Sequence, residues 1–577
     1  MKAKYIVAAI AGALFTLTSC INDLETLPMN DWDTTSETAY GTNEQAYVQG
    51  LAKLYFNFTS NDTTDLLVSD GGASELIRCF WTCNEVSTDA AKCAWGDTWA
   101  MAINSNTWTD AENDMVYGVF VRTLQGIAYV NEYLRQTAPE KLSDRGVDAA
   151  LATKIEGFRA EARFLRAYFY WMAMDIFGAV PFTTEDSPFG AEAPKQASSK
   201  QIFNYVVSEL EALAADGSAM PVAQSNRPRA DKGSVLGLLA RVYLNAEVYA
   251  GEAKWTEAKS TCEKIFGLGY ALCSNYEHLF RGDNGENADA YNEFLYAVSY
   301  DQDNAQSWGG GTYLTCAAIG AEDKETETDE DWVKDGEVQK DDKGNPLKVK
   351  ISRIGTGNGW NGLHIHEQFI NRYYNPTDVD WANGTYTIAD KRGANIFTTE
   401  KRTGGTFTAL TNTFYDGWGC YKYNNIPSTE DGREYWLRTQ NPDKSTNIDF
   451  PMIRLAEIYL IYAEACLHLG SGAPAQQYMA QLAERAGVDY EFNKLGSWDN
   501  EARDWFVAER ARELLWEGHR RTDLIRYGLF TSAEYLWPFK GGEDAVLGQA
   551  FADYKKLFAI PASQIKANPG LNNPVGY

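Results

Sequence analysis

The residues best equipped for chemistry are tryptophans set among glycines and polar groups. Arg78 to Trp99 (RCFWTCNEVSTDAAKCAWGDTW) holds Trp81, Trp95 and Trp99, an arginine and several acids, with no long apolar face. Two more stretches lie far along the chain, Ser307-Trp308-Gly309-Gly310 and Gly359-Trp360-Asn361-Gly362. A pyranose ring has an apolar face of C–H groups and a polar rim. An indole covers such a face, while Arg, Asp or Asn takes the hydroxyls. Covering roughly 60–80 Å² per ring contributes about 1.5–2 kcal/mol. Three rings, less the cost of association, give binding on the order of micromolar to millimolar. A curved set of rings favours a coiled α-1,4-glucan over a flat chain. Trp95, Trp308 and Trp360, flanked by glycine or polar residues, read as such a wall. Trp81 and Trp99 read as core.

The alternative chemistry is glycoside hydrolysis, which needs two carboxylates on either side of the scissile bond. Acids are too plentiful to exclude a pair, but no motif singles one out; the reading is a binding protein and not an enzyme, with two alternatives, a glycoside hydrolase and a binder of another cargo such as peptide or a β-glycan. Hard cations want oxygen-rich turns. A structural calcium would draw on Asp283, in Asp283-Asn284-Gly285-Glu286, and on Asp449; no cofactor is otherwise required. His364 and His366 would share a strand face, and without a third ligand they read as structural.

These groups sit in an acidic chain of 577 residues, with a formal net charge of −27 and a pI near 4.7. Such a charge makes nucleic acid a poor partner. Aromatics reach 13%, with 33 Tyr and 17 Trp, more than a core alone requires. Of the nine cysteines, Cys20 follows the leader. The rest show no CxxC pair and no zinc spacing, and read as buried thiols.

The leader has its own logic. Lys2 and Lys4 precede an apolar run from Ile6 to Leu17, the pattern of a signal peptide. The run ends in Leu17-Thr18-Ser19-Cys20, which resembles a bacterial lipobox with Cys20 as the lipidated residue. Residues 20–40 then form a polar tether. No later segment is apolar enough to span a membrane, so the acyl chains would be the attachment.

What must position the tryptophans is a helical scaffold. Helical periodicity dominates from about Glu44 to Tyr270 and from about Met452 to Tyr527. Ile155 to Phe177 reads as one long helix, stopped by Gly178 and Pro181. Leu239-Ala240-Arg241-Val242-Tyr243-Leu244 parallels Leu455-Ala456-Glu457-Ile458-Tyr459-Leu460. Each is followed by an alanine-centred second helix, at Ala258 and Ala475. That is the tetratricopeptide pattern of helical hairpins burying their faces against neighbours. Asp283 to Phe450 differs: Gly, Asn, Thr, Trp and Tyr dominate, and Glu322 to Lys350 is a charged excursion. The expected fold is mainly α, with tetratricopeptide-like hairpins packed against a loop-rich region with little β.

The C-terminal part carries a family resemblance. Arg454 to Leu460 and Ala463-Glu464-Ala465 precede Glu509-Arg510, Glu513-Leu514 and Glu517-Gly518-His519-Arg520-Arg521-Thr522-Asp523-Leu524-Ile525-Arg526, and the chain ends in Pro574-Val575-Gly576-Tyr577. With the lipobox and Phe177 to Phe182, this resembles the SusD/RagB family of outer-membrane glycan-binding lipoproteins. The resemblance covers nearly the whole chain and is strongest to the starch-binding members.

The resemblance implies residues 1–19 as signal peptide, 20–40 as tether and 41–282 as the N-terminal helical region. Residues 283–450 become the ligand-binding insertion and 451–577 the C-terminal region. It implies capture of starch or maltooligosaccharide for polysaccharide utilisation, on the outer face of the outer membrane, with a SusC-like TonB-dependent transporter as partner. Carried onto this sequence, the site is Trp95, Trp308 and Trp360, with Arg78 as donor and Asp97 and Thr98 beside them. Thr98 stands where an amide side chain is expected. The Glu517 to Arg526 stretch reads as a buried ion network and not as a ligand site.

Overall fold

The computed structural model describes residues 39–61, 71–188, 192–319, 328–331, 333–334, 337–351, 354–356, 359–400, 402–410, 414–429 and 445–577. The expected signal peptide, Cys20 and most of the expected tether lie outside them. Among the described residues no helix is long and apolar enough to cross a membrane.

The longest helix, Ala149–Phe177, starts where the Asp148 carboxylate accepts from Leu151 N and stops at Gly178, whose φ of 70° is costly for any residue with a Cβ. The expected helix therefore holds, with six more residues at its start. Its last turns are buried on all sides, between Asp114–Gln136 and Ser199–Ala214. Close approach needs Gly126, where a Cβ would stand 2.7 Å from the Phe169 ring.

The two parallel segments fall in equivalent helices. Lys232–Leu244 begins with a reciprocal cap between Asp231 and Ser234 and packs on Trp255–Phe266. Leu455–His468 packs on the same second helix and then on Gln476–Ala486. Ala258 is buried inside its helix. Ala475 instead lies one residue before its helix, in a short 3₁₀ turn, Ala473–Ala475, that the repeat pattern did not anticipate.

Among the described residues, the named strands form only short two-stranded pairs. Phe294–Val298 pairs antiparallel with Phe450–Arg454 and so closes the insertion at its base. Gly237 lets the helical layer settle on this pair, since a Cβ there would meet Ile453 at 2.8 Å. Within the charged excursion, Thr328–Asp331 pairs with Lys348–Ile351, and residues 340–346 are exposed.

The arginines of the C-terminal basic stretch are paired with carboxylates. Arg520 pairs with Asp89 at 2.8 Å and Arg521 with Asp175 at 3.3 Å. Arg454 meets Glu293, Glu513 and Glu517; Arg392 meets Asp390, Glu509 and Glu513. The cationic neighbours hold Glu509 down to about 2 despite burial, which acts the other way. The network joins helices to the insertion, as the alternating charges suggested.

Candidate functional site

The wall begins on the helix Leu76–Glu85, capped by Glu75, whose carboxylate accepts from Arg78 N and from the Tyr300 hydroxyl. Burial pushes the Glu75 carboxyl up to about 7. The glycine run after Trp308 exists to reach this point. A Cβ on Gly309 would fall 2.1 Å from the Glu75 carboxyl, and one on Gly310 (φ 47°) 2.2 Å from the Tyr300 ring. These glycines open the helix Gly310–Ala318, and Trp308 stands just before its cap.

Trp95 and Trp360 are set by the two-residue pairing of Lys92–Cys93 with Leu363–His364. Beyond that pair, Ala94 N donates to Gly362 O at 2.7 Å and the Trp95 indole N–H donates to Asn361 O at 2.8 Å. Trp360 N and Asn361 N donate to Cys316 O and Ile319 O, pinning the loop to the end of the Trp308 helix. Asn361 and Gly362 both have positive φ, and a Cβ on Gly362 would stand 2.4 Å from the Trp95 nitrogen.

Arg78, Trp95, Trp308 and Trp360 line one open cavity of about 450 Å³ together with Gly72. The Trp308 and Trp360 ring centroids are 5.8 Å apart and their planes are tilted by 48°. Trp95 meets Trp99 edge-on at 6.1 Å. The Arg78 guanidinium lies 4.6 Å from the Tyr313 ring centroid and 5.9 Å from that of Trp95. Trp308 is 40% exposed, while Trp95 and Trp360 are half-buried. The arrangement offers apolar faces at an angle to one another, with a fixed cation among them.

The structure thus brings together four of the six sequence candidates. Asp97 and Thr98 are exposed at the start of the helix Thr98–Asn104, next to Trp95 in the chain, and neither lines the cavity. Trp81 and Trp99 are core, as expected; the Trp81 N–H donates to Trp516 O. Asn84 to Asp89 is buried too. Glu85 receives backbone N–H groups of Gly518 and His519, and Asp89 pairs with Arg520. Tyr313, beneath Arg78, was missed in the sequence, because one tyrosine among 33 carries no local signal.

The loops of the two proposed calcium ligands are bonded to one another, Asn284 Nδ2 donating to Asp449 O and Asn284 Oδ1 accepting from Asp449 N. Each oxygen of Asp283 accepts two hydrogen bonds, Oδ1 from Ser428 and Oδ2 from Thr429, so Asp283 clamps that loop. Asp449 accepts from Ser299 and Tyr300 N, and burial, then the fields of Glu286 and Asp301, push it up to about 7. The His364 Nε2–H donates to Phe414 O, and His366 precedes the helix Glu367–Tyr373; burial depresses both below the usual histidine range.

Comparison with known proteins agrees with this architecture. Residues 283–577 match the model described as SusD family, and residues 66–244 match one described as starch-binding associating with outer membrane. The chain is 31% identical over 616 aligned residues to the starch-binding protein SusD of Bacteroides thetaiotaomicron, with the whole of both chains covered. A SusD superfamily protein from Parabacteroides distasonis shares the fold with a TM-score of 0.64 at 18% identity, over 94% of this chain and 100% of that one. A laminarin binding SusD-like protein does so at 0.60 and 18%, over 93% and 100%. The match over the whole length, on a helical scaffold that presents an aromatic cavity, places this chain in the SusD family of carbohydrate-binding, non-catalytic proteins.

Proposed function

We propose that the protein captures starch or maltooligosaccharide at the cell surface and passes it to a SusC-like TonB-dependent outer-membrane transporter. Anchoring would be through lipid on Cys20. The observation that carries the reading is the convergence of Trp95, Trp308 and Trp360 with Arg78 on one cavity. The 48° tilt between two of the rings suits sugars that turn relative to one another along a coiled α-1,4-glucan. A flat chain would present near-parallel faces. The whole-length likeness to a starch-binding relative supports the same choice.

Affinity electrophoresis across a polysaccharide panel tests it. Retardation in amylopectin, lost in Trp95→Ala and Trp360→Ala with folding intact, is expected. Retardation only in another polysaccharide would move the cargo and leave the site. Unchanged mobility of both variants in amylopectin would remove the site. Shortened products from maltooligosaccharide would end the binding-only reading.

A further inference from the structure

Away from the aromatic cavity, three metal-ligating side chains meet at the border between the helical region and the insertion. Cys273, His278 and Asp289 each bring one ligand atom, all within 4.8 Å of one another, and among the described residues no other such trio of His, Cys, Asp or Glu occurs. Cys273 Sγ is 3.3 Å from Asp289 Oδ2, and His278 Nδ1 is 3.9 Å from the same oxygen. We propose that this trio is a metal site for a borderline-soft divalent cation, Zn²⁺ first, held by one sulfur, one nitrogen and one oxygen with water as the fourth ligand.

The distances are those of a site ready to close. Zinc bonds of the usual lengths to S, N and O put neighbouring ligand atoms about 3.4–3.6 Å apart at tetrahedral angles. The observed separations lie on either side of that range, so side-chain rotation alone completes it. Cys273 is fully buried, and its backbone N–H donates to Glu293, which is itself paired with Arg454 and Arg485. Asp289 is held by the Ser274 N–H and hydroxyl, the outer-shell support that fixes a ligating carboxylate. His278 sits on the 3₁₀ helix Tyr276–Phe280, and its Nδ1 is buried without a hydrogen-bond partner. With the ring proton on Nε2, that lone pair faces the other two ligands. That tautomer gives up the contact of 3.3 Å between Nε2 and the Asn275 amide nitrogen, while Asn275 Oδ1 stays on Glu277 N.

The donor set decides the ion class. Thiolate and imidazole suit zinc and its neighbours, whereas calcium and magnesium want oxygen throughout. On binding, the Cys273 S–H bond gives way to a sulfur–metal bond and the proton leaves to solvent. The ion would close the loop that carries Asp283, the residue that clamps Ser428 and Thr429.

The test is a Co²⁺ titration of the full chain, purified without a histidine tag and stripped by a chelator. One equivalent of Co²⁺ should give tetrahedral visible bands and a sulfur-to-cobalt charge-transfer band, both erased by added Zn²⁺. Cys273→Ser should remove the charge-transfer band. His278→Ala and Asp289→Asn alter partly exposed side chains, at 30% and 38%, so the metal-free fold should persist by circular dichroism. Each should weaken Co²⁺ at least about tenfold. Absence of a one-to-one charge-transfer band, or an unchanged titration in His278→Ala and Asp289→Asn, overturns the site. Cobalt bound without a sulfur band does the same. Glycan retardation is scored separately, so either reading can fail alone.

Discussion

Trp308 and Trp360 face one another at 5.8 Å although they are held by different devices. Trp308 is placed by glycines packed on Glu75, and Trp360 by a loop bonded to Cys316. Trp308 is the more exposed of the two. Trp308→Ala should therefore weaken maltooligosaccharide binding by about 1.5–2 kcal/mol, roughly ten- to thirtyfold, with little change in melting temperature. Trp95→Ala should cost both binding and stability, because its indole N–H bond to Asn361 is lost as well. Isothermal titration and thermal melts on the same samples separate the two effects.

Gly362 is where backbone conformation and site geometry meet. Its φ of 94° disfavours any side chain, and a Cβ would occupy the place of the Trp95 nitrogen. Gly362→Ala should displace the Trp95 ring and abolish retardation in amylopectin, while Gly96→Ala, where a Cβ meets nothing within 4 Å, should leave it intact.

Asp449 should make the protein less stable as pH rises. Its carboxyl is pushed up to about 7 in the fold, from an ordinary value of 3.8. Between those values the folded chain holds a proton that the unfolded chain releases, so stability falls from about pH 4 to pH 7 and is level above. Asp449→Asn lacks this penalty. Its denaturant midpoint should match the parent near pH 4 and exceed it increasingly up to pH 7.5, by an amount of order 4 kcal/mol at full ionisation.

The buried pair of Asp89 and Arg520 should behave oppositely to a surface pair. Asp89→Ala leaves the Arg520 guanidinium uncompensated at 4% exposure and should cost about 3–5 kcal/mol in urea unfolding. The exposed pair Lys154–Glu44 should contribute within about 1 kcal/mol when broken.

Much of this was legible because it is local. The Ala149–Phe177 helix announces itself by periodicity, and the glycine-flanked tryptophans by composition. What stayed hidden depends on partners far along the chain. Glu75 meets Tyr300 across 225 positions, and Asp283 meets Ser428 across 145, so neither role leaves a local pattern. Ala475 was misplaced because a short 3₁₀ turn shifts the helix start by one residue. The Cys273 trio escaped because its spacing follows a 3₁₀ helix and a loop, not a zinc motif.

Glu85 has one further consequence, for the order of events during biosynthesis. The helix that carries Arg78 ends on a carboxylate whose backbone donors, at Gly518 and His519, lie 433 and 434 positions later. Contacts of such separation form late, after the entropy of closing the intervening chain has been met. The aromatic cavity therefore matures only once the chain has been made as far as His519, about nine-tenths of its length, and a nascent chain cut short before that point should emerge unable to grip sugar.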